Sequence, residues 1–378
     1  MDNSTIALIL ACSILPIYSI TIQVPKHPRI VCYYTFPNQQ YNLQPENIDG
    51  NLCTHILVAF ATILNNSVSI SQENVEIVTK VVQLKLLNPD LKVLLSFGGG
   101  GDEYGFPEMV RNESNRATFI KSVEFAIEKL NLDGIDLDWE FPSNSSNKGH
   151  LVELLEDLRQ SINNSAKKYI LSVAVAAPIT LVDVSYDVPA INRLVDFINV
   201  MSYDYNFFSL LTPWTGMNAP LYARSIDIFY FKTQNINYTS IFWIKKGMDK
   251  NKVNIGLPVY AHTYTLRSPN KTFLGAPAIG NGKIGGGGSA SYGEVCKFMK
   301  DEKLTPIFDD ETKSPYVTNG SEWISFENDE SMKFKAQYIY NNDFGGVMVF
   351  SLSSDDYNGD CYGETFPNTK IISRIFRR

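Results

Sequence analysis

The ten residues from Asp133 to Pro142 constrain the fold of this chain more than any other stretch. Successive side chains of a β-strand point to opposite faces, so the acidic residues of this stretch share one face and its apolar residues share the other. The acidic set is Asp136, Asp138 and Glu140, and the apolar set is Ile135, Leu137 and Trp139. The apolar face needs a covering layer, which predicts helices outside and a polar, enclosed space inside, as in a closed barrel of parallel strands.

Three carboxyl groups this close repel one another, and the repulsion is relieved when at least one stays protonated near neutral pH. A carboxyl group that holds its proton at that pH can act as a general acid. A calcium-binding loop would need glycine at its sixth position, which is Phe141 when counted from Asp136. A solvated acidic strand would not place Ile, Leu and Trp between its acids. We therefore expect a catalytic site with no metal and no cofactor.

Strand-like and helix-like segments alternate along the rest of the chain. β-Branched and aromatic runs predict further strands at residues 30–34, 55–62, 92–97, 169–177, 196–201, 253–260 and 346–351. Apolar residues at helical spacing predict helices at residues 74–87, 116–130, 148–162, 188–194, 225–233, 238–248 and 366–378. This alternation predicts a parallel sheet of eight strands closed into an α/β barrel.

The segment from about residue 261 to 331 departs from this alternation. It holds too many Gly, Pro and Asn for one crossover helix, and short strand-like pieces recur in it. We therefore expect a small α+β insertion between the seventh barrel strand and the last barrel helix. Glycine runs at residues 98–101 and 285–288 lack the Lys-Ser/Thr pair of a nucleotide-binding loop. The first run is expected to clear space at a strand end, and the second to form a surface loop of the insertion.

The chain begins with an apolar run at residues 5–20 that is too short for a comfortable membrane span. This run predicts a signal peptide over residues 1–20, with cleavage near Ser19. The remaining residues, 21–378, are then expected to form a secreted, extracellular protein without a membrane span. The net charge of -7 and the pI near 5.3 argue against a nucleic acid or an anionic membrane as partner. They favour a neutral or cationic ligand.

Four cysteines remain after the predicted cleavage, which removes Cys12. An even number of cysteines in a secreted chain predicts disulfides rather than a metal site. Of the three possible pairings, the positions favour Cys32 with Cys53, which flank early strands, and Cys296 with Cys361 in the last quarter. Seven N-glycosylation sequons, of the form Asn-x-Ser/Thr, also predict an exported glycoprotein. They lie at Asn65, Asn112, Asn144, Asn163, Asn237, Asn270 and Asn319.

Residues 133–140, DGIDLDWE, resemble the D-G-x-D-x-D-W-E signature of glycoside hydrolase family 18, the chitinases and their chitinase-like relatives. Further segments resemble successive strand motifs of that family in order and spacing. They are Tyr33-Tyr34, Cys53-Thr54-His55 with Ala59-Phe60-Ala61, Ser96-Phe97-Gly98-Gly99, Met201-Ser202-Tyr203-Asp204-Tyr205, Gly256-Leu257-Pro258-Val259-Tyr260 and Gly345-Gly346-Val347-Met348-Val349. The resemblance covers nearly the whole chain and implies a TIM barrel with an α+β insertion. Animal members carry cysteine pairs like the two expected here.

The resemblance also implies a role for each acidic residue of the motif. Glu140 is expected to protonate the glycosidic oxygen and later to act as a base toward water, while the substrate's own 2-acetamido oxygen attacks the anomeric carbon. Asp138 is expected to orient the acetamido group, and Asp136 to tune Asp138 by sharing a proton. Tyr203 is expected to hydrogen-bond the acetamido oxygen, and Asp133 to have a structural role. The expected substrate-binding residues are Tyr33, Phe60, Gly98, Gly99, Met201, Asp204, Tyr205 and Phe350.

The chain departs from the family pattern at three positions. Gly100 replaces a tryptophan after the S-x-G-G motif, and Phe350 replaces a tryptophan at the end of the eighth strand. These two changes remove stacking surface worth about 1–3 kcal/mol per sugar. His262 stands where the family usually has arginine. Other aromatic residues could supply stacking surface, and Tyr104, Phe106 and Trp214 are candidates. For Tyr33, Phe60 and Met201, core packing is the competing interpretation.

Three functions are compatible with this pattern. The intact acidic residues favour a secreted, monomeric, endo-acting chitinase that hydrolyses chitin or chito-oligosaccharides with retention. The three departures favour a chitinase-like lectin or signalling protein that binds the same sugars without useful turnover. An endoglycosidase of N-linked glycans shares the acidic motif and is the third alternative.

Overall fold

The computed structural model describes residues 28–100 and 105–377. The strands in this part are β1 Arg29–Thr35, β2 His55–Leu64, β3 Ser67–Ser69, β4 Lys92–Gly98, β5 Gly134–Asp138, β6 Ile170–Ala176, β7 Phe197–Met201, β8 Val253–Pro258, β9 Tyr260–Leu266, β10 Ala278–Asn281, β11 Ser289–Ser291, β12 Ile307–Asp309, β13 Ser314–Thr318, β14 Glu322–Ser325 and β15 Gly346–Phe350. The α-helices are α1 Gln72–Gln83, α2 Phe106–Met109, α3 Glu113–Leu130, α4 Ser145–Asn164, α5 Ile179–Ser185, α6 Val188–Leu194, α7 Ile236–Lys245, α8 Tyr292–Asp301, α9 Asp329–Asn341 and α10 Pro367–Phe376. The predicted signal peptide and Tyr104 lie outside the described residues.

Eight parallel strands close into a barrel at the centre of the protein. Their order around the barrel is β1, β2, β4, β5, β6, β7, β8 and β15, and β15 pairs with β1 to close the ring. These strands are buried along nearly their whole length, because the barrel interior covers one face and helices cover the other. Burial on both faces explains why they are rich in Val, Ile and Leu rather than alternating in polarity. The predicted α/β barrel is confirmed.

The register of the barrel strands gathers polar side chains into one layer. Ser96 of β4 is paired with Asp136 of β5, and Asp136 is paired with Ser172 of β6. All three side chains are fully buried. Residues in register on neighbouring parallel strands face the same side, and a slip of one residue would turn each side chain to the other face. The register therefore fixes which side chains reach Asp136.

Capping side chains mark where several helices begin. Ser71, Asn112, Asn144 and Asp187 each accept a hydrogen bond from a backbone N–H in the first turn of α1, α3, α4 and α6 respectively. Such caps satisfy one of the backbone donors that a helix start leaves unpaired. Helix α1 ends at Gln83, earlier than predicted, and the chain continues as a 3-10 turn at Leu84–Leu86.

A second sheet, formed by β9 to β14, is inserted between β8 and α9. Its strands follow the order β10, β9, β14, β13 and β12, and β11 also pairs with β9. Two apolar clusters support it, one around Tyr264 and Trp323 and the other around α8. The seventh barrel strand ends at Pro258, so the prediction to residue 260 was too long. Tyr260 instead begins the inserted sheet and reaches from it toward the barrel.

The predicted helix at residues 225–233 is wrong except at its end. The structure has turns there and a single 3-10 turn at Phe231–Thr233. Phe229 has a φ of 50°, a left-handed conformation that a right-handed helix does not contain. Ile226, Ile228 and Phe229 are exposed. The apolar residues of this segment therefore belong to a surface loop and do not form the buried face of a helix.

Both expected disulfides are formed. Cys32 of β1 is bonded to Cys53, which precedes β2, with their Cα atoms 6.1 Å apart. Cys296 of α8 is bonded to Cys361, which follows β15, with a Cα separation of 5.4 Å. The second bond ties the insertion to the end of the barrel. Among the described helices, none is long and apolar enough to cross a membrane.

Candidate active site

Asp136 is fully buried inside the barrel and accepts four hydrogen bonds. Its Oδ2 accepts from the hydroxyl groups of Tyr33 at 2.6 Å and Ser96 at 2.7 Å. Its Oδ1 accepts from the Ser172 hydroxyl at 2.6 Å and from the Asn199 side-chain amide at 3.3 Å. Burial raises the pKa of this carboxyl, and the four donors oppose that rise. The network holds Asp136 in one position beneath the end of β5.

Asp138 ends β5 and is only 2% exposed. Burial raises the pKa of its carboxyl well above the ordinary value, and the charges of Glu140 and Asp136 raise it further. Its Oδ1 has no hydrogen-bond partner among the described residues. Leaving a buried polar atom unpaired costs about 1–3 kcal/mol. A ligand that brings a hydrogen-bond partner to this atom would remove that cost.

Glu140 follows β5 by two residues and is only partly buried. Burial raises the pKa of its carboxyl to about 7, and the negative charge of Asp204 adds to the rise. A carboxyl group with this pKa holds its proton at mildly acidic pH and can still release it, as a general acid must. This agrees with the expectation that at least one of the three acids keeps its proton near neutral pH.

Aromatic side chains meet next to these carboxyl groups. The ring of Phe350, at the end of β15, lies 5.4 Å from that of Tyr33, 5.8 Å from Tyr203 and 6.2 Å from Tyr260. The ring of Phe60 lies 6.0 Å from that of Tyr33. Because the Tyr33 hydroxyl donates to Asp136, this aromatic cluster adjoins the carboxyl groups. The structure thus brings together four predicted site residues and adds Tyr260 to them.

The structure leaves no room for a side chain at Gly98 or at Gly99. Gly98 has a φ of 104°, and a Cβ there would lie 2.2 Å from the backbone oxygen of Asp138. Gly99 has a φ of 90°, and a Cβ there would lie 2.7 Å from the ring of Phe60. The backbone N–H of Gly99 donates to the Asp138 carbonyl oxygen at 2.9 Å. Both glycines let the end of β4 approach Asp138, and their contact with substrate stays a prediction.

Asp204 follows β7 with a φ of 56° and is held by three other residues. Its backbone N–H donates to the side-chain oxygen of Asn218 at 2.8 Å. Its Oδ1 accepts from the Tyr260 hydroxyl and lies 2.6 Å from Nε2 of His262. Tyr260 and His262 both come from β9, so the insertion supplies the contacts that position this carboxyl. His262 therefore pairs with Asp204 although it stands where arginine was expected.

Met201 and Tyr205 flank the same loop but are placed differently. Met201 ends β7 and is partly buried against the barrel core. Tyr205 is buried, and its hydroxyl lies 2.5 Å from the hydroxyl of Thr239 in α7. The structure therefore directs the polar end of Tyr205 to a helix outside the barrel and does not bring it to the carboxyl cluster.

Phe106 was a candidate for sugar stacking, and that expectation is wrong. Its side chain is fully buried and stacks on Trp139, with the ring centroids 5.3 Å apart. It belongs to the layer that covers the apolar face of β5. Trp214, the other described candidate, is 38% exposed. Asp133 has the expected structural role, because its carboxylate accepts from the backbone N–H of Val93 and pairs with Lys85.

Four polar residues of the site were not identified from the sequence. Ser96, Ser172 and Asn199 donate to Asp136, and Asn218 orients Asp204. The first three are single polar residues within the apolar, buried runs of barrel strands. A buried polar group needs a partner, so such residues signal a polar layer inside the barrel. Asn218 carries no comparable signal, because it lies in an irregular loop.

Known proteins share this sequence pattern and architecture. The profile described as Glycosyl hydrolases family 18 matches residues 29–355. Chitotriosidase-1 of Mus musculus is 34% identical over 373 residues, which cover 93% of this chain and 78% of the mouse protein. The crystal structure of an immunomodulatory active chitinase from Trichuris suis matches with a TM-score of 0.87 and 34% identity, over 92% of this chain and 99% of that one.

A relative described as a pseudo-chitinase is equally similar in fold. The structure of human YKL-39, described as a pseudo-chitinase with retained chitooligosaccharide binding properties, matches with a TM-score of 0.87 and 32% identity. The match covers 93% of this chain and 100% of the human chain. The family profile spans most of the sequence, and these relatives match over nearly all of it. We conclude that this chain belongs to family 18 of the glycosyl hydrolases, which includes chitinases and chitinase-like proteins.

Proposed function

We propose that this protein is an active chitinase that hydrolyses β-1,4 linkages between N-acetylglucosamine residues within chitin or chito-oligosaccharides. The proposal rests on the surroundings of two neighbouring acidic residues, Asp138 and Glu140. Asp138 has a buried oxygen without a partner, and Glu140 is a partly buried acid whose pKa is raised to about 7. A lectin needs neither feature. Together they suit a substrate that donates a hydrogen bond to Asp138 and accepts a proton from Glu140.

In the proposed reaction, Glu140 donates its proton to the glycosidic oxygen as the bond from that oxygen to the anomeric carbon breaks. The 2-acetamido oxygen of the substrate attacks the anomeric carbon and forms an oxazolinium ion. Asp138 accepts a hydrogen bond from the acetamido N–H and stabilises the positive charge. Glu140, now a carboxylate, takes a proton from a water molecule that opens the ring. The two displacements on the same carbon give net retention.

Asp136 and Tyr203 are proposed to support this reaction. Four hydrogen-bond donors hold the Asp136 carboxyl group in place. Asp136 can therefore share a proton or exert its charge on Asp138 from a fixed position. The Tyr203 hydroxyl lies 3.9 Å from the sulfur of Met348, which is a weak acceptor. It can therefore turn its hydrogen toward the acetamido oxygen of a bound sugar. Tyr33, Phe60 and Phe350 are proposed to form the apolar wall of the same subsite.

We further propose that the protein works outside the cell as a monomer. The two disulfides and the predicted signal peptide support export. The ligand is a neutral sugar, in keeping with the net charge of -7, and needs no metal or cofactor in this reaction.

A chitinase-like lectin is the second candidate, and one contact favours it. A Cβ at position 100 would lie 3.6 Å from a carboxyl oxygen of Glu140, so this residue borders the acid directly. Glycine at that position leaves the acid without the tryptophan surface that is usual in the family. Weaker holding of the sugar beside the acid would lower turnover while binding elsewhere in the cleft persists.

The deciding experiment is release of a fluorophore from chitobiose and chitotriose glycosides by the purified protein, its Glu140→Gln variant and a Glu330→Gln control on the exposed surface of α9. We expect turnover in the wild type and the control, and a loss of at least about a hundredfold in Glu140→Gln, since general acid catalysis contributes 10²–10⁴-fold. If the wild type releases no more fluorophore than Glu140→Gln from pH 3 to 9, yet binds chito-oligosaccharides, the lectin replaces the enzyme.

A further inference from the structure

The seven sequons of this chain have no part in the proposed reaction, and two of them lie at opposite ends of one helix. Asn144 comes directly before the first residue of α4, and Asn163 lies in its last turn. Both residues are exposed. An α-helix rises about 1.5 Å per residue, so about 28 Å separate the two positions. Helix α4 therefore carries a candidate modification site and, at its other end, a matched control.

The first turn of α4 lies at the end of the barrel that holds the acidic residues. The Lys148 ammonium group donates to the backbone oxygen of Asp183 in α5 at 3.1 Å. Helix α5 follows the carboxyl end of β6, and Glu140 follows the carboxyl end of the neighbouring strand β5. Asn144 comes four residues after Glu140, so their Cα atoms are at most about 14 Å apart. A group attached to Asn144 therefore lies next to the carboxyl cluster.

The last turns of α4 lie at the opposite end of the barrel. The Nε of Arg159 donates to the backbone oxygen of Leu194, the last residue of α6, at 2.6 Å. The same guanidinium group pairs with Asp196 at 2.9 Å. Both partners come just before β7, so this part of α4 packs where the barrel strands begin. Asn163, one turn further along the helix, is therefore remote from the carboxyl cluster.

A glycan at Asn144 is compatible with the folded helix. The side-chain oxygen of Asn144 accepts from the backbone N–H of Asn147 at 2.9 Å, which caps the start of α4. Its Nδ2, the atom that a glycan occupies, makes no hydrogen bond to another residue within the described ranges. The third residue of the sequon, Ser146, is exposed in the first turn. The cap and the modification therefore use different atoms of the same side chain.

We propose that Asn144 carries an N-linked glycan, which limits how closely a large insoluble substrate approaches the carboxyl cluster. The inference rests on the proposed function in taking an exported protein and chitin as its substrate. A glycan is bulky and hydrated, so it keeps a flat polymer surface away from the edge formed by α4. A single soluble sugar chain still passes beside it. A glycan at Asn163 lies too far away to affect access.

The modification transfers an oligosaccharide from a lipid diphosphate donor of the secretory pathway. The Nδ2 of Asn144 forms a bond to C1 of the first N-acetylglucosamine, and the bond from C1 to the diphosphate oxygen breaks. The lipid diphosphate leaves with that electron pair, and Nδ2 gives up one proton. No oxidant or reductant takes part.

The first measurement is the occupancy of Asn144. The full chain is secreted from cultured animal cells, its N-glycans are released enzymatically in heavy-oxygen water, and its peptides are analysed by mass spectrometry. Release converts a glycosylated asparagine into labelled aspartate. We expect the label at position 144 in the wild type and none there in Ser146→Ala, which removes the sequon and keeps the Asn144 cap. A wild type without the label at this position overturns the inference.

The second measurement is access of an insoluble substrate. It is read as adsorption of the Glu140→Gln variant to suspended chitin, which does not depend on turnover. In this background, Ser146→Ala is expected to increase adsorption severalfold, while Ser165→Ala, which removes the sequon at Asn163, should leave it unchanged. Ser146→Thr keeps the sequon and should behave as the parent. Calorimetric titration with soluble chitotriose should give the same affinity in all four proteins, which excludes damage to the site.

The outcomes separate this inference from the proposed function. If Asn144 is glycosylated but Ser146→Ala and Ser165→Ala change adsorption equally or not at all, the glycan does not shield the site, while the proposed function stands. If Ser146→Ala increases adsorption but the protein with Glu140 intact releases no fluorophore from chitobiose glycosides, the inference stands and the enzyme assignment fails. If no variant adsorbs to chitin or binds chitotriose, both proposals are overturned.

Discussion

Two features of its surroundings raise the pKa of the Glu140 carboxyl group. Burial contributes most to its raised pKa, and the negative charge of Asp204 adds to it. Asp204 is itself held by Tyr260 and His262 of the insertion. The insertion therefore acts on Glu140, the proposed general acid, through Asp204, although it contributes no carboxyl group of its own to the motif.

This arrangement predicts a pH dependence of turnover. In the proposed reaction Glu140 must be protonated to donate, and burial raises the pKa of its carboxyl to about 7, so kcat/KM should fall as the pH rises through about 7. Asp204→Asn removes a negative charge that raises this pKa, so the descending limb should move to lower pH, whatever happens to the maximal rate. The measurement is the pH profile of kcat/KM on a chitobiose glycoside.

The control for this prediction is Asp310→Asn. The side chain of Asp310 is 90% exposed and is not among the groups that shift the pKa of Glu140. Its replacement should leave the descending limb in place. A limb that keeps its position in Asp204→Asn would show that burial alone sets the pKa of the acid.

Strand β4 and helix α4 each contain a glycine, and the two positions differ in whether they have room for a side chain. Gly98 ends β4 in a left-handed conformation against the backbone of Asp138. Gly149 lies in the exposed part of α4, where an added Cβ meets no atom within 4 Å. Glycine is needed at the first position for close approach, whereas at the second it only weakens a helix.

We therefore predict opposite effects of two alanine substitutions on the free energy of unfolding. Gly98→Ala should destabilise by about 2–4 kcal/mol, because the new Cβ would lie 2.2 Å from a backbone oxygen in a strained conformation. Gly149→Ala should stabilise by about 0.5–1 kcal/mol through helix propensity. Urea unfolding monitored by circular dichroism measures both. Equal effects at the two positions would contradict the structural distinction.

In the whole molecule, a buried ion pair joins the insertion to the barrel. Lys335 of α9 pairs with Glu327, which follows β14, and its Nζ also lies 3.0 Å from the hydroxyl of Ser314 in β13. Both charged side chains are almost fully buried. Burial lowers the pKa of Lys335 and raises that of Glu327, and their mutual attraction opposes both shifts. Helix α9 then leads directly into β15 of the barrel.

Breaking this pair should destabilise the protein strongly. Lys335→Met leaves Glu327 buried without a cation, and the expected cost is about 3–5 kcal/mol of unfolding free energy. The double variant Lys335→Met/Glu327→Leu should recover much of that loss, because both charges are then removed. Lys333→Met removes an exposed pair with Asp329 and should cost less than about 1 kcal/mol. A large effect of Lys333→Met, or none of Lys335→Met, would contradict this account.

Several features of the site could be predicted because they depend on residues close in sequence. The alternation of strand geometry alone placed Asp136, Asp138 and Glu140 on one face, and the glycines of residues 98–99 marked a strand end. The lone Ser and Asn residues of β4, β6 and β7 could also have been recognised as a polar layer. Phe106 could not be assigned, because its stacking on Trp139 joins residues 33 positions apart in the chain.

The sequence by itself determined the barrel, its inserted sheet, the acidic motif and the choice of disulfide partners. The barrel, the inserted sheet and the acidic motif follow from periods of two and 3.6 residues and from motifs read within single elements. The disulfide partners follow from the positions of the four cysteines along the chain. The tertiary structure alone decided that Asp138 keeps an unpaired oxygen, that β9 supplies the two partners of the Asp204 carboxylate, and that the loop after β7 forms a pocket around Trp214. The physical reason is that burial and hydrogen-bond pairing depend on which distant segments meet, which local periodicity does not specify.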